Sequence, residues 1–504
     1  MVGKDILGRT GGVSAAAAAL ACTALATGAP AASATAVKCG SITASGSSLQ
    51  NLAHKTVWIK DWEDNGINGW KVESEGMVCE EEKKEGVGTG KGTGKVEYEP
   101  TSSGKGLSEW GDESEGVMEA FKPEKSHNKE HLDAFVGTDV GPEGRKTAGH
   151  EEEMPESNTQ ISNIDAAGGH LNEKGEKESN TITTIPIATS AVALPVSLPE
   201  GCRVNSHKAV VNLRALIREW SSGGVKFSEM IENLESSAAC EATPVLQARE
   251  VPSGTTAAYK RYLADLDPTD FGSITETAGE SESNTNWPLE VGKSADFNET
   301  GNETGGELAK RVYETSGTMG YADISDARNQ EFTEAPGRPK THGPVGKEYE
   351  SLVVLVHNGK PEAAKEGESE SPQVEQGSHV KASHCENAKF PEPKKVGPDI
   401  DWSRAKQENA TSAELGVYPI CTLTFDVAWG HYRWVKWENA AKTQQEMYSE
   451  AQYNTAFNYL RWVVTAGQEG TPAKELEENN FEPLPEPVLK EAREGVTKAH
   501  ISWE

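Results

Sequence analysis

The pattern of apolar and polar positions opens with a run unlike anything after it. Lys4 and Arg9 precede an alanine-rich apolar stretch from Val13 to Ala26, and small residues follow, ending in Ala34-Thr35-Ala36. This is the layout of a secretory signal with an A-x-A site, cleaved after Ala36. No later stretch is apolar for long enough to span a bilayer. Beyond it, short β-like runs alternate with amphipathic ones. Lys38–Gln50 begins as a strand and breaks at Ala44-Ser45-Gly46-Ser47-Ser48, after which the pattern turns helical toward Trp58, Trp62 and Trp70. Lys95–Glu99 alternates with period two and runs into Thr101-Ser102-Ser103-Gly104-Lys105-Gly106. Leu132–Asp139 reads as a buried strand ending in an acid, and Thr183–Leu198 is the most apolar β-like run of the mature chain.

Helical spacing follows at Leu213–Trp220, from Phe227, after Ser253 and over Glu307–Thr315, whose end leads through Ser316–Asp323 into another strand. Tyr418–Trp429 reads as a strand, Tyr453–Val464 as a strongly amphipathic helix, and Pro487 to Val496 as a last helix. Residues 141–180 and most of 357–417 are poor in apolar positions and read as loops or insertions. Strands that end in hydroxyl-rich or acidic tips predict an α/β sheet whose carboxyl edge is the binding edge.

Charge narrows the choice of partner. With 49 Lys and Arg against 79 Asp and Glu, the net charge of −30 argues against nucleic acid and against an anionic membrane surface. An anion site on such a chain must work through local dipoles and one or two placed cations. The seven cysteines become six once the signal and Cys22 are removed, and an even number in an exported chain without C-x-x-C points to disulfides. Fifteen pairings are possible; sequence neighbours (39–79, 202–240, 385–421) are favoured because each closes a local loop of similar size.

One stretch concentrates hydrogen-bond donors. In Arg249-Glu250-Val251-Pro252-Ser253-Gly254-Thr255-Thr256, Ser253 reads as the N-cap of a helix whose apolar face carries Tyr259, Tyr262 and Leu263. The N–H groups of the first turn then lack intrahelical partners at the positive end of the helix dipole, and Arg249 adds a cation. The guest such a place suits is an oxyanion. By itself the stretch also fits an ordinary capped helix. The Gly-rich residues 81–95 meet neither phosphate-loop spacing, and neither G-x-S-x-G nor H-E-x-x-H occurs. His127 and His131, four apart beside Glu130, have the spacing of two metal ligands but sit in a polar Lys/Glu/Asn stretch.

Taken in order, the motifs resemble the extracytoplasmic phosphate-binding protein of the phosphate-specific ABC transporter. The resemblance rests on T-A-S-G-S-S-L at 43–49, Y-x-P-T-S-S-G-x-G at 98–106, F-V-G-T-D at 135–139 and I-P-I-A at 185–188. It continues with R-x-x-x-S-G-T-T at 249–256, S-G-T-M-G-Y at 316–321, Y-P-I at 418–420, A-G-Q at 466–468 and P-L-P at 483–485. It implies a type II periplasmic-binding-protein-like α/β fold, two lobes joined by a hinge with the ligand in the interlobe cleft. Carried over, lobe 1 holds residues 37–184 and 321–504, lobe 2 holds 185–320, and the crossings fall at Ile185-Pro186 and Gly320-Tyr321.

The resemblance further maps oxyanion donors onto Ser48 and Leu49 (backbone N–H), Ser103, Arg249, Ser253, Gly254 and Thr255, and an acceptor carboxylate onto Asp139. Hydrogen phosphate carries a proton that sulfate lacks near neutral pH, and one acceptor among donors selects for it. Two departures stand out: Val251 occupies the place where the family has an acid that holds the arginine, with Glu250 as its only neighbouring substitute, and Pro252 replaces a glycine. The implied function is a non-enzymatic, monomeric, extracytoplasmic receptor that needs no metal or cofactor and delivers inorganic phosphate to ABC permease subunits. The rival readings are an exported phosphohydrolase, a binder of another oxyanion, and a surface sensor or adhesion protein that keeps the fold without transport.

Overall fold

The computed structural model describes residues 35–66, 77–79, 94–103, 106, 133–139, 161–164, 170–171, 177–178, 180–204, 210–232, 234–251, 253–267, 287, 297–330, 332, 341–342, 349–354, 385–386, 388–390, 394–396, 399–402, 405–410, 418–434, 436–438, 444–446, 448–498 and 500–504. The signal run up to Ala34, most of the 81–95 segment and the His127/His131 pair lie outside them.

In chain order the elements that build the site are β1 (Ile42–Gly46), β2 (Val96–Pro100), β3 (Phe135–Thr138), β4 (Asn180–Ser197), α1 (Leu213–Ser222), β5 (Val245–Gln247), α2 (Gly254–Leu266), β6 (Phe297–Asn298), α3 (Gly305–Glu314), β7 (Thr318–Gly320), β8 (Ala322–Asp323), α4 (Ile324–Asn329), β9 (Tyr349–Val354), β10 (Cys421–Trp429), α5 (Glu450–Val463), α6 (Gly470–Glu478), β11 (Phe481–Glu482) and α7 (Glu486–Gly495). The main sheet runs β6-β5-β7-β4-β10-β3-β1-β2. Its two flanks are parallel, β6-β5-β7 on one side and β3-β1-β2 on the other. The middle is antiparallel: the 18-residue β4 pairs with β10 from Ile182 to Ala191. Each parallel flank needs helical crossovers to cover it, which gives each its own core.

The buried apolar residues form two clusters. One gathers β1–β3, Ile185 to Ala188, β10 from Leu423 onward and helices α5–α7, with Trp58, Trp62, Phe135 and Tyr459 among its largest members. The other gathers Ala191 to Leu198, α1–α4, and the residues from Met319 to Cys421 that pack on them, around Trp220, Tyr259 and Tyr321. The fold is therefore α/β and two-lobed. The resemblance implies crossings at Ile185-Pro186 and Gly320-Tyr321; the buried apolar side chains pass from one cluster to the other between Ala188 and Ala191 on β4 and between Cys421 and Leu423 on β10. Both strands run through these points without a break, so local pattern cannot locate the exchange.

Pro186 sits where the β4–β10 register shifts, between Thr424 and Phe425. A proline lacks the ladder N–H and is tolerated at such an irregularity. The helices start on chemical signals: α3 and α5 have capping boxes, Thr304 with Glu307 and Ser449 with Gln452. The disulfides are Cys39–Cys79, Cys202–Cys240 and Cys385–Cys421, the neighbour pairing expected from loop size. Among the described residues no helix is long and apolar enough to cross a membrane.

Candidate functional site

The chemistry gathers at the carboxyl ends of the parallel strands, where β1, β2, β3 and β5 run out into turns. On the first flank β1 ends at Gly46 with φ +130°, a conformation that glycine adopts without strain. A Cβ there would also stand 2.2 Å from the Gly137 carbonyl oxygen, so the two strand ends touch through glycine alone. The turn places Ser47 beside Asp139, and its Oγ donates to Asp139 Oδ1 at 2.5 Å. Thr424 Oγ1 on β10 donates to the same oxygen at 3.0 Å. Ser103 Oγ donates to Oδ2 at 3.1 Å and lies 3.2 Å from the Asp139 N–H, which can donate to it. Asp139 is buried, and loss of water pushes its pKa up to about 6, with the hydroxyls of Ser47, Thr424 and Ser103 pulling it down and Asp323 pushing it up.

On the second flank the buried Arg249 follows β5. Its Nε donates to Asn302 O at 3.2 Å, one terminal nitrogen to Ser253 Oγ at 2.9 Å and the other to Glu303 O. Its backbone N–H donates to the Tyr321 hydroxyl at 3.2 Å, and that hydroxyl also bonds Thr256 Oγ1 at 2.7 Å, so Arg249 and the first turn of α2 share one anchor. Burial lowers the guanidinium pKa, with Tyr321, Asp326, Asp139 and Asp323 opposing. Every acceptor in contact is neutral. Among the described residues no carboxylate pairs with the cation, and no acceptor meets the N–H groups of Gly254, Thr255 and Thr256.

The two flanks meet across the cleft. A Cβ on Gly254 would stand 2.2 Å from Asp139 Cβ and 2.8 Å from its backbone, so the start of α2 closes directly on the acid. Beside this contact the Gly305 N–H at the start of α3 donates to Ser48 Oγ at 3.3 Å. Asp323 caps α4 by accepting from the Asp326 N–H at 3.0 Å. The Asp326 carboxyl lies against Gly305, and burial, with Asp323 next, holds its pKa well above the usual carboxylate range.

The structure thus brings Ser103 to Asp139, Arg249 to Ser253 and Gly254 to Asp139, with Ser48, Leu49 and Thr255 buried at the same strand and helix ends. Three expectations are refined. The Leu49 N–H donates to Ser47 Oγ at 3.1 Å. Ser253 holds the N-cap position of α2, but its hydroxyl turns to Arg249 rather than to the helix. Glu250 accepts from the Gly301 N–H at 2.5 Å, and the carbonyls of Asn302 and Glu303 hold the guanidinium instead.

Ser47, Thr424, Asp323 and Asp326 were not singled out from sequence. Ser47 shares the serine-rich turn with Ser48, which was a usable signal; Thr424 lies 285 residues from Asp139 inside an ordinary β pattern and offered none. Among the described residues no group of three or more His, Cys, Asp or Glu side chains is arranged to hold a metal ion.

No protein-family model matches the sequence, and no curated protein does. Among solved structures the chain is similar to a phosphate-binding protein from Stenotrophomonas maltophilia, at 15% identity, covering 90% of this chain and 93% of that one with a TM-score of 0.49. It is similar also to a human phosphate-binding apolipoprotein, at 14% identity, with the same two coverages and a TM-score of 0.46. These likenesses are distant, and the reading of the cleft rests on its own geometry.

Proposed function

We propose that the chain is a non-catalytic extracytoplasmic receptor that closes its two lobes on hydrogen phosphate and hands it to an ABC importer. The observation that carries this reading is the pairing of one buried acceptor with unmatched donors. Asp139 Oδ1 is taken by Ser47 and Thr424, whereas among the described residues Oδ2 meets only Ser103. Ser103 has one proton to give, so when it turns to a ligand oxygen, Oδ2 is free to accept the ligand's own proton.

Opposite stand Arg249, a buried cation bonded to neutral oxygens, and the open N–H groups at the start of α2. A buried cation of this kind gains most from an anion brought by the ligand. Ser48, Leu49, Ser103, Arg249, Ser253, Gly254 and Thr255 are the proposed ligand contacts, the Leu49 N–H exchanging Ser47 Oγ for the ligand, with Asp139 as the proton acceptor; opening the cleft frees the Ser48 hydroxyl from Gly305. On this reading the ligand is held and released without reaction.

A protonated tetrahedral oxyanion satisfies every group in this set. Fully ionised sulfate leaves a carboxylate facing an unpaired charge in a buried place. Titration calorimetry of the mature, oxidised protein at pH 8 tests the reading. Phosphate and arsenate should both bind, with sulfate weaker by at least about tenfold, a gap of about 1.4 kcal/mol. Absence of phosphate binding, or sulfate binding as tightly, overturns it.

A further inference from the structure

Behind the acid lies a polar relay that the ligand set does not include. Gln50 is fully buried just after the Ser47-Ser48 turn, and the two N–H bonds of its Nε2 serve Phe425 O at 2.7 Å and Thr424 Oγ1, with Thr138 O farther off at 3.3 Å. Backbone carbonyls only accept, so the amide must present its NH2 to this side; its Oε1 faces the Tyr98 hydroxyl at 3.2 Å. The orientation of Gln50 is therefore set by chemistry. Thr424 Oγ1, accepting from Gln50, must send its single proton elsewhere, and its nearest acceptor is Asp139 Oδ1 at 3.0 Å, with Thr138 O farther at 3.4 Å.

The backbone is shaped for this arrangement. The β4–β10 register shifts at Thr424/Phe425, the kind of irregularity that re-aims a side chain. A Cβ on Gly137 would stand 2.0 Å from Gln50 Oε1 and 2.3 Å from the Tyr98 hydroxyl, so glycine there leaves the passage the relay occupies.

We infer that Thr424, its proton directed by Gln50, is a positioning residue for ligand selection: together with Ser47 it keeps Asp139 Oδ1 filled with donors and leaves Oδ2 as the place where a ligand proton is accepted. This deepens the phosphate reading and rests on it. Removing the donor makes the ionised acid less favourable, so Asp139 holds its own proton to higher pH. In that state it can donate, and sulfate becomes an acceptable guest. The other charged or titratable groups acting on Asp139 are Arg249, Asp323, Asp326 and the Tyr98 phenol, and Thr424 substitutions leave all of them in place.

The test compares wild type, Thr424→Val and Thr424→Ser in two measurements. Carboxyl NMR of ligand-free protein reads the pH at which Asp139 titrates, and calorimetry from pH 5 to 8 reads the phosphate-to-sulfate preference. Thr424→Val should raise the NMR midpoint by about one pH unit, as expected for loss of one hydrogen bond to a charged group, and should move the loss of preference upward with it. Thr424→Ser, which keeps the hydroxyl, should restore both. A valine variant that only melts lower, with its midpoint unmoved, overturns the inference. A midpoint that moves as expected in a protein that binds no phosphate supports the role of Thr424 at Asp139 and overturns the phosphate reading instead.

Discussion

At the scale of single residues, Asp139 and Arg249 are a buried acid and a buried base that share one cleft without touching. Each is costly to ionise where it lies. Asp139 titrates near 6 in the folded chain, above the value of about 4 for an unfolded aspartate. Folding therefore favours its protonated form, so its contribution to stability is full below about pH 4 and is lost as pH rises through about 6. At about 1.4 kcal/mol per pH unit the loss amounts to about 3 kcal/mol. Urea unfolding of ligand-free wild type and Asp139→Asn should show it: the asparagine variant gains on wild type by up to that amount between pH 4 and pH 7. A constant difference across the range would mean that Asp139 titrates like an exposed acid.

Arg249→Ala removes the only guanidinium among the proposed contacts. Phosphate binding should weaken by about 2–5 kcal/mol, read by calorimetry against an unchanged far-UV spectrum. What sequence could show at this scale was the residue type at each strand tip. Which atoms meet was hidden. Arg249 suggested a carboxylate partner one or two places away, whereas its guanidinium reaches carbonyls 53 and 54 residues on. Gln50 and Thr424 are joined across 374 residues, a distance that no local pattern reports.

At the scale of elements, the cleft is made by strand ends and by the first turns of α2 and α3. These were the most legible features, because a β-like run that stops in Ser, Thr and Gly has few other uses for so many hydroxyls. The start of α2 was read from Ser253 and the apolar spacing behind it; the direction of the Ser253 hydroxyl was not, since an N-cap serine normally bonds its own helix. Gly254 carries one contact between the halves, beside the one from Gly305 to Ser48. Because a Cβ at this position would press on the Asp139 backbone rather than on a movable side-chain end, Gly254→Ala should hold the cleft open. Phosphate affinity should fall by at least about tenfold, or about 1.4 kcal/mol, while the melting temperature without ligand changes little. An alanine variant that binds like wild type would show that closure does not bring these two backbones together.

At the scale of the whole molecule, two cores share one sheet through the β4–β10 ribbon, and each flank brings its own half of the candidate site. The α/β class was legible because β-like and helical runs alternate, whereas the division into two halves came only with the family resemblance. The positions where the cores exchange were not legible, because β4 and β10 run on as unbroken buried strands across the passage. The disulfides stabilise local loops, with Cys202–Cys240 and Cys385–Cys421 both packed in the second core. Replacing Cys202 and Cys240 by serine should lower unfolding free energy by about 3–4 kcal/mol on the loop-entropy account, read from urea melts. Saturating phosphate at a hundredfold excess over its dissociation constant should restore about 2.7 kcal/mol of it if the cleft still closes.

On the proposed reading the two halves act together in selecting one oxyanion over another, and the selection turns on whether Asp139 accepts a proton from the ligand. The most direct measurement is the phosphate-to-sulfate preference of Asp139→Asn against wild type, from calorimetric isotherms at fixed salt and pH 8. An asparagine can offer a donor where the carboxylate could only accept, so phosphate should lose its advantage and sulfate should gain. The preference should fall by at least about tenfold, or about 1.4 kcal/mol. An unchanged preference would contradict the assignment, leaving Asp139 as the cap of its strand and the ligand to be sought among other anions.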